Sequence, residues 1–156
     1  MEVFDAVFVS GTFGGEAVSL AAAKATIAEL KRRSAIPQIW SYGERLLGGI
    51  RELVAANVLD NAIVAVGYPV RSVLTFPHVD ERQSRIRRTF FMQECVKRGL
   101  LYFASHVPTA AHGDEELLFT LKTMREVVSL FARAYQADDF ESHLAGPPVE
   151  PIFRRA

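Results

Sequence analysis

A helix that is apolar on nearly every side follows directly on a turn of glycines, and no other stretch of this sequence restricts the fold as tightly. From Phe8 and Val9 the chain passes through Ser10-Gly11-Thr12-Phe13-Gly14-Gly15 into Glu16-Ala-Val-Ser-Leu-Ala-Ala-Ala23. The small side chains of Ala17, Ala21, Ala22, Ala23 and Ala25 permit close approach. A helix without a polar face is buried, against its own chain or against another. Glu16 suits the positive end of the helix dipole and Lys31, Arg32 and Arg33 suit the negative end. The helix is therefore expected from Gly15 or Glu16 to about Arg33. The turn ahead of it combines backbone N–H groups, small residues and a hydroxyl, which together can hold an anion. By itself such a turn specifies no ligand. It lacks the Lys-Ser/Thr ending of a P-loop, and Thr12 can equally cap a turn.

Downstream the pattern alternates between helices and a few short strands. Ser34 can cap a second helix with Pro37 in its first turn, and Ile39, Leu46, Ile50, Leu53 and Val54 follow helical spacing. Gly43, Gly48 and Gly49 weaken that helix by up to about 1 kcal/mol each, so packing must hold it. Ala62–Val66 and Ser72–Phe76 read as strands joined through Gly67-Tyr68-Pro69. Pro69 lacks a ladder donor and belongs in the turn. A third helix is expected from Ser84 to Arg98, closed by Gly99, and a third strand over Leu100–Ala104. The last helix has the most regular pattern: Leu117, Leu121, Met124, Val128, Phe131 and Tyr135 step by three and four. Gly113 and Glu116 can form its start. From Ala137 the chain is polar and then proline-rich, and is expected to lie extended on a surface or to lack order without its dock. Few strands and no βαβ rhythm predict an α+β fold, a small antiparallel sheet of about three strands covered by helices.

Composition removes several classes of function. The 156 residues suit one domain, with 49% hydrophobic and 23% charged residues, ordinary values for a folded chain and wrong for disorder. Lysine plus arginine and aspartate plus glutamate both number 18, so no global field favours nucleic acid. No apolar run reaches membrane-spanning length, since Ala17–Ala28 is short and carries Lys24. The N-terminus holds Glu2 and Asp5 and no basic segment, unlike a secretory signal. Cys95 is the single cysteine, so no intrachain disulfide forms, and a reducing, cytoplasmic location is expected.

Few side chains suggest chemistry. Cys95 lies at helical spacing with Phe91 and Met92 and reads as a core residue rather than a nucleophile. His78, His106 and His112 lack Cys, Asp or Glu at ligand spacing, so no zinc site is expected. Arg82, Arg85, Arg87 and Arg88 read as the solvated first turn of a helix or as a contact for an anion or a partner subunit. Arg71 can meet a substrate carboxylate, since guanidinium forks suit carboxylates. Lys24 reads as a surface residue, and Lys31, Lys97 and Lys122 carry no motif. No Ser/His/Asp triad, thiolate site or paired catalytic carboxylates is visible.

Several segments together resemble the class III pyridoxal-phosphate (PLP) aminotransferases, and most of all the branch of glutamate-1-semialdehyde 2,1-aminomutase. The likeness begins with Gly11-Thr12 before the alanine-rich helix. It continues through Trp40-x-x-Gly43-Glu-Arg-Leu-Leu-x-Gly49, Gly67-Tyr-Pro-Val-Arg-Ser-Val-Leu-Thr-Phe76 and Arg98-Gly-Leu-Leu-Tyr102. It ends with Ala111-His112-Gly-Asp-Glu-Glu-Leu-Leu-Phe-Thr120 and Leu144-Ala-Gly-Pro-Pro-Val-Glu-Pro-Ile-Phe-Arg-Arg155. The segments occur in the family's order and cover nearly the whole chain.

The resemblance implies the C-terminal domain of such an enzyme over residues 1–136, with an extended proline-rich tail over 137–156. Gly11 and Thr12 are then cofactor-binding: the turn reaches across a homodimer to the PLP phosphate of the other subunit. The family's Schiff-base lysine, the acidic partner of the pyridine nitrogen and the stacking aromatic lie upstream of this turn, in a large domain that this sequence lacks. The complete enzyme would act on a small amino or keto substrate. This chain alone is expected to be inactive and to hold no PLP, and it contributes no catalytic residue and no metal ligand. His112 occupies a position where the family often has histidine before its final helix. The alternative reading is a free-standing, non-catalytic α+β module for binding or oligomerisation. That module would need its own polar covering for the first helix, which Ala17–Ala25 scarcely provides.

Overall fold

The computed structural model describes residues 15–150. The chain divides into two compact units, residues 1–36 and 37–156. In the first, helix α1 spans Ala17–Arg32 and ends as the sequence predicts, with Lys31 and Arg32 in its last turn. None of its residues is buried, and Val18, Leu20 and Ile27 are exposed. The burial that its composition demands is therefore not supplied to α1 here. Ser34 takes a left-handed backbone, φ 50°, between α1 and helix α2 (Ala35–Ala56), which has Pro37 in its first turn.

The second unit carries the sheet. Strands β1 (Val64–Tyr68) and β2 (Arg71–Thr75) form an antiparallel hairpin closed by Pro69 and Val70, with Tyr68 opposite Arg71 and Val66 opposite Val73. Pro69 is in the turn as expected. Gly67 and Tyr68 are strand residues instead, and Gly67 accommodates a φ of 102° that a larger residue would resist. The third strand is not Leu100–Ala104. Ala104 sits at φ 59°, which breaks a regular strand, and β3 is the pair Ser105–His106, with Ser105 opposite Val73 and His106 opposite Ser72. The preceding segment still touches the sheet, since Leu74 N–H donates to Ala104 O at 2.8 Å.

Helix α3 (Glu81–Lys97) starts three residues earlier than the sequence suggests. Asp80 is the cap, its carboxylate accepting from Arg82 N–H at 2.8 Å, while the Ser84 hydroxyl donates to Phe76 O at 2.7 Å. Gly99, at φ 79°, turns the chain out of the helix, and Leu100 N–H closes back on Cys95 O at 3.0 Å. Helix α4 (Asp114–Ala137) begins as expected: the Glu116 carboxylate accepts from Gly113 N–H at 2.8 Å.

Beyond α4 the chain does not run straight into an extended tail. Asp138 at φ 50° ends the helix, and a short 3₁₀ turn, Phe140–His143, buries Phe140. The chain then lies along α3, where Ala145 N–H donates to Gln93 Oε1 at 2.7 Å and Val149 N–H to Thr89 Oγ1 at 2.9 Å.

One core joins these elements. Tyr42, Leu46, Ile50 and Val54 of α2 meet Leu74 and Phe76, Phe90, Phe91 and Cys95 of α3, and Leu117, Met124, Val128 and Phe131 of α4. Three of the four helices thus cover one face of a small antiparallel sheet, the α+β architecture the sequence predicts. Among the described residues no helix is long and apolar enough to cross a membrane.

Candidate functional site

Gly11 and Thr12, the two residues assigned to a cofactor phosphate, lie outside the described residues. What the second unit shows is where the other candidates stand. Arg71 is exposed at the end of the hairpin across from Tyr68. His78 is a turn residue: its Nδ1 accepts from Asp80 N–H at 3.0 Å, ahead of α3.

His106 and His112 gather around Tyr42 of α2. The His106 ring stacks on Tyr42 at 5.9 Å between centroids, and His112 lies tilted at 5.3 Å from the same ring. Thr109 N–H donates to His112 Nδ1 at 2.9 Å, which ties the loop before α4. Burial, and then the neighbouring His112, push the His106 imidazole down to about 4. Among the described residues no group of His, Cys, Asp and Glu could hold a metal ion.

The arginines of α3 divide in a way their spacing does not reveal. Arg82 forms a forked pair with Glu141 of the 3₁₀ turn, one branch at 3.0 Å, and Arg85 lies 3.9 Å from Glu150. Arg88 Nη2 reaches Phe103 O at 3.5 Å. Arg87 is buried: at 7% exposure its guanidinium lies over Tyr135 at 5.1 Å and Phe140 at 5.7 Å. The contacts of Arg82, Arg85 and Arg87 fasten the tail to α3.

Glu94 escaped the sequence reading. It is 8% exposed, and its carboxylate accepts from Lys97 Nζ and Arg98 Nη1, both at 2.7 Å. Arg98 in turn reaches Glu126 of α4 at 3.2 Å. Burial alone would raise this carboxyl, but hydrogen bonds from Lys97, Arg98 and Gln93 outweigh it and hold it down to about 2. Lys and Arg three and four residues after a Glu look like an ordinary surface pair, so no signal in the sequence marks this one as buried. Glu94 also lines a cleft of about 430 Å³ with Phe90, Leu130, Arg133, Asp139 and His143.

The described residues do not themselves fit PLP. A lysine becomes a nucleophile in a desolvated pocket or beside another cation. Lys24, Lys31, Lys97 and Lys122 are all exposed, and Lys97 is engaged by Glu94. Cys95 offers no substitute, because complete burial pushes its thiol up to about 12.

No protein-family model matches the sequence, and neither does any curated protein. Solved structures do share its fold. The FumI protein of Sphingopyxis sp. MTA144, in its PLP internal aldimine form, superposes with a TM-score of 0.67 at 20% identity, over 84% of this chain and 31% of that one. An omega-transaminase from Sphaerobacter thermophilus gives a TM-score of 0.67 at 15% identity, over 81% of this chain and 31% of that one. The chain thus spans under a third of the length of either structure, and its fold matches part of each.

Proposed function

We propose that the chain is the C-terminal domain of a cytoplasmic PLP-dependent class III aminotransferase or aminomutase, of the glutamate-1-semialdehyde aminomutase kind. The observation that carries this reading is the shared fold over 84% of the chain, combined with a match to only 31% of the neighbour. Residues 1–136 would form the domain and 137–156 its tail. Gly11 would give clearance, and Thr12 its hydroxyl and N–H, to the cofactor phosphate of the other subunit in a homodimer. PLP, when bound, supplies the electron sink for moving an amino group on a small amino or keto substrate. The second unit would form one wall of the substrate pocket, with the hairpin bearing Arg71 nearest to a carboxylate. The exposed lysines support a division of labour in which another body supplies the lysine.

A PLP titration of the purified chain, followed by borohydride reduction and intact mass, tests this. The expected result is no saturable binding and no stoichiometric lysine adduct. A stoichiometric adduct at one lysine would overturn the reading, since the chain would then build a cofactor site of its own.

A further inference from the structure

The cleft of about 430 Å³ beside Glu94 is walled by three elements, and its volume is that of a small-molecule site. Phe90, Glu94 and Lys97 form a stripe along α3, and Leu130, Arg133 and Ala134 stand across from them on α4. Asp139 and His143, the cap and the last residue of the 3₁₀ turn, complete the lining. Apolar carbon from Phe90, Leu130 and Ala134 therefore lies among charged groups. Those charges are not all spent. Glu94 is held by Lys97 and Arg98, both at 2.7 Å, and His143 Nε2 lies 3.1 Å from Asp139 Oδ2. Arg133 pairs with no carboxylate among the described residues. The second carboxylate oxygen of Asp139, Oδ1, is buried and has no hydrogen-bond partner among them. A buried acceptor left in this state is costly and marks a place where a donor is missing.

We infer that this cleft is a binding site for a free amino acid with an apolar side chain. Its ammonium group is held by Asp139, its carboxylate by Arg133 and its side chain by Phe90 and Leu130. The site goes beyond the function proposed above and does not depend on it. The ligand class follows from which groups are left over. One underused carboxylate and one unpaired guanidinium on an apolar lining select a zwitterion over a simple cation or anion. A guanidinium fork suits a carboxylate, and an ionised carboxylate has acceptor sites for an ammonium group beside His143. Glu94 does not drive the ligand carboxylate away, because Lys97 and Arg98 already neutralise it. An inorganic anion would meet Arg133 but leave Asp139 and the apolar lining without partners.

The test is an NMR titration of the isotope-labelled full chain with leucine and with phenylalanine. Two analogues are titrated beside them: 3-phenylpropanoate, which lacks the amine, and phenethylamine, which lacks the carboxylate. The expected result is saturable binding of leucine or phenylalanine, with shifts at the amides of Ala134, Asp139 and His143. Both analogues should bind more weakly than phenylalanine by about tenfold, the loss of one charge-assisted contact. R133Q should weaken the amino acids by about the same factor and leave phenethylamine no weaker. D139N should weaken the amino acids and leave 3-phenylpropanoate no weaker. A variant that merely loosened the fold would weaken every compound alike, and the comparison of analogues on the unaltered chain then decides alone. No saturable binding of either amino acid, or shifts confined to other parts of the chain, would overturn the site. An analogue that binds as tightly as phenylalanine would overturn the ligand class, since one of the two charges would then be idle.

Discussion

The backbone of Gly43 in α2 lies directly against the carbonyl of Pro69 in the hairpin turn, and a Cβ added at Gly43 would overlap that carbonyl. This contact sets the approach of helix to hairpin. Glycine in mid-helix costs up to about 1 kcal/mol against alanine, so intrinsic propensity favours G43A. The clash decides the sign, because a backbone carbonyl cannot rotate aside as a side chain can. We expect G43A to destabilise by about 3 kcal/mol, at the upper end of overpacking costs. Gly48, one turn on, has nothing within 4 Å of its added Cβ. G48A should raise stability by up to about 1 kcal/mol. Urea unfolding of both variants measures the pair, and a neutral G43A would mean that the hairpin moves freely over α2.

Glu94 holds Lys97 and Arg98 from a buried position, and its carboxyl is depressed to about 2 against an ordinary value of 4.5. The unfolded chain therefore binds a proton between these values that the folded chain refuses. The resulting stability is fully present above about pH 4.5 and is lost as pH falls toward 2. Discounted for the solvent-facing amine of Lys97, it amounts to roughly 2 kcal/mol at neutral pH. E94Q keeps the shape and removes the charge. It should cost about that much at neutral pH and almost nothing in acid, so the two unfolding curves should converge as pH falls. Parallel curves would show that Glu94 acts through packing alone.

How far the sequence reaches can be judged residue by residue. Helix α4 was legible because Leu117, Met124, Val128 and Phe131 repeat at helical spacing and Glu116 marks the start. The strand read over Leu100–Ala104 was not, because a continuous apolar run looks the same whether or not Ala104 adopts a positive φ. Asp80 outcompeted Ser84 as the cap of α3 because the Ser84 hydroxyl is drawn to Phe76 O, a tertiary contact. The burial of Arg87 and Glu94 was invisible for the same reason: Tyr135 and Phe140 beside Arg87, and Leu130 and His143 in the cleft with Glu94, lie on other elements. The buried thiol of Cys95 was legible from its apolar neighbours in α3. Of the candidate site, Arg71 is placed on an exposed strand end, while Gly11 and Thr12 lie outside the described residues.

The histidine pair predicts a second window of acid sensitivity. His106 packs on Tyr42 with His112 close by, and its imidazole is lowered to about 4 from an ordinary 6.5. The folded state keeps the ring neutral where the unfolded state would charge it. Stability should therefore be complete above about pH 6.5 and decline as pH falls toward 4, by about 1–2 kcal/mol. This window lies above that of Glu94, so the two contributions separate. NMR titration should show His106 still neutral at about pH 5, and H106Q should flatten the upper part of the stability profile. A ring that titrates near its ordinary value would remove the effect.

Phe140 should be the residue that fixes the tail. Its ring meets Phe90 edge-on at 5.3 Å and Phe131 at 4.7 Å, and the Arg87 guanidinium lies over it at 5.7 Å. Removing a fully buried phenyl ring costs about 3–5 kcal/mol through lost burial and the cavity left behind. The consequence reaches further here, because the 3₁₀ turn has few other anchors: Arg82–Glu141, the Gln93 bridge to His143 O and Ala145, and Thr89 on Val149. We expect F140A to lower stability by at least 3 kcal/mol. It should also raise amide hydrogen exchange at Ala145 and Val149, both of which bond to α3. F140L, which keeps an apolar body, should recover most of the protection. If exchange at those two amides is unchanged in F140A, then the polar bridges from α3, and not the aromatic cluster, hold the tail in place.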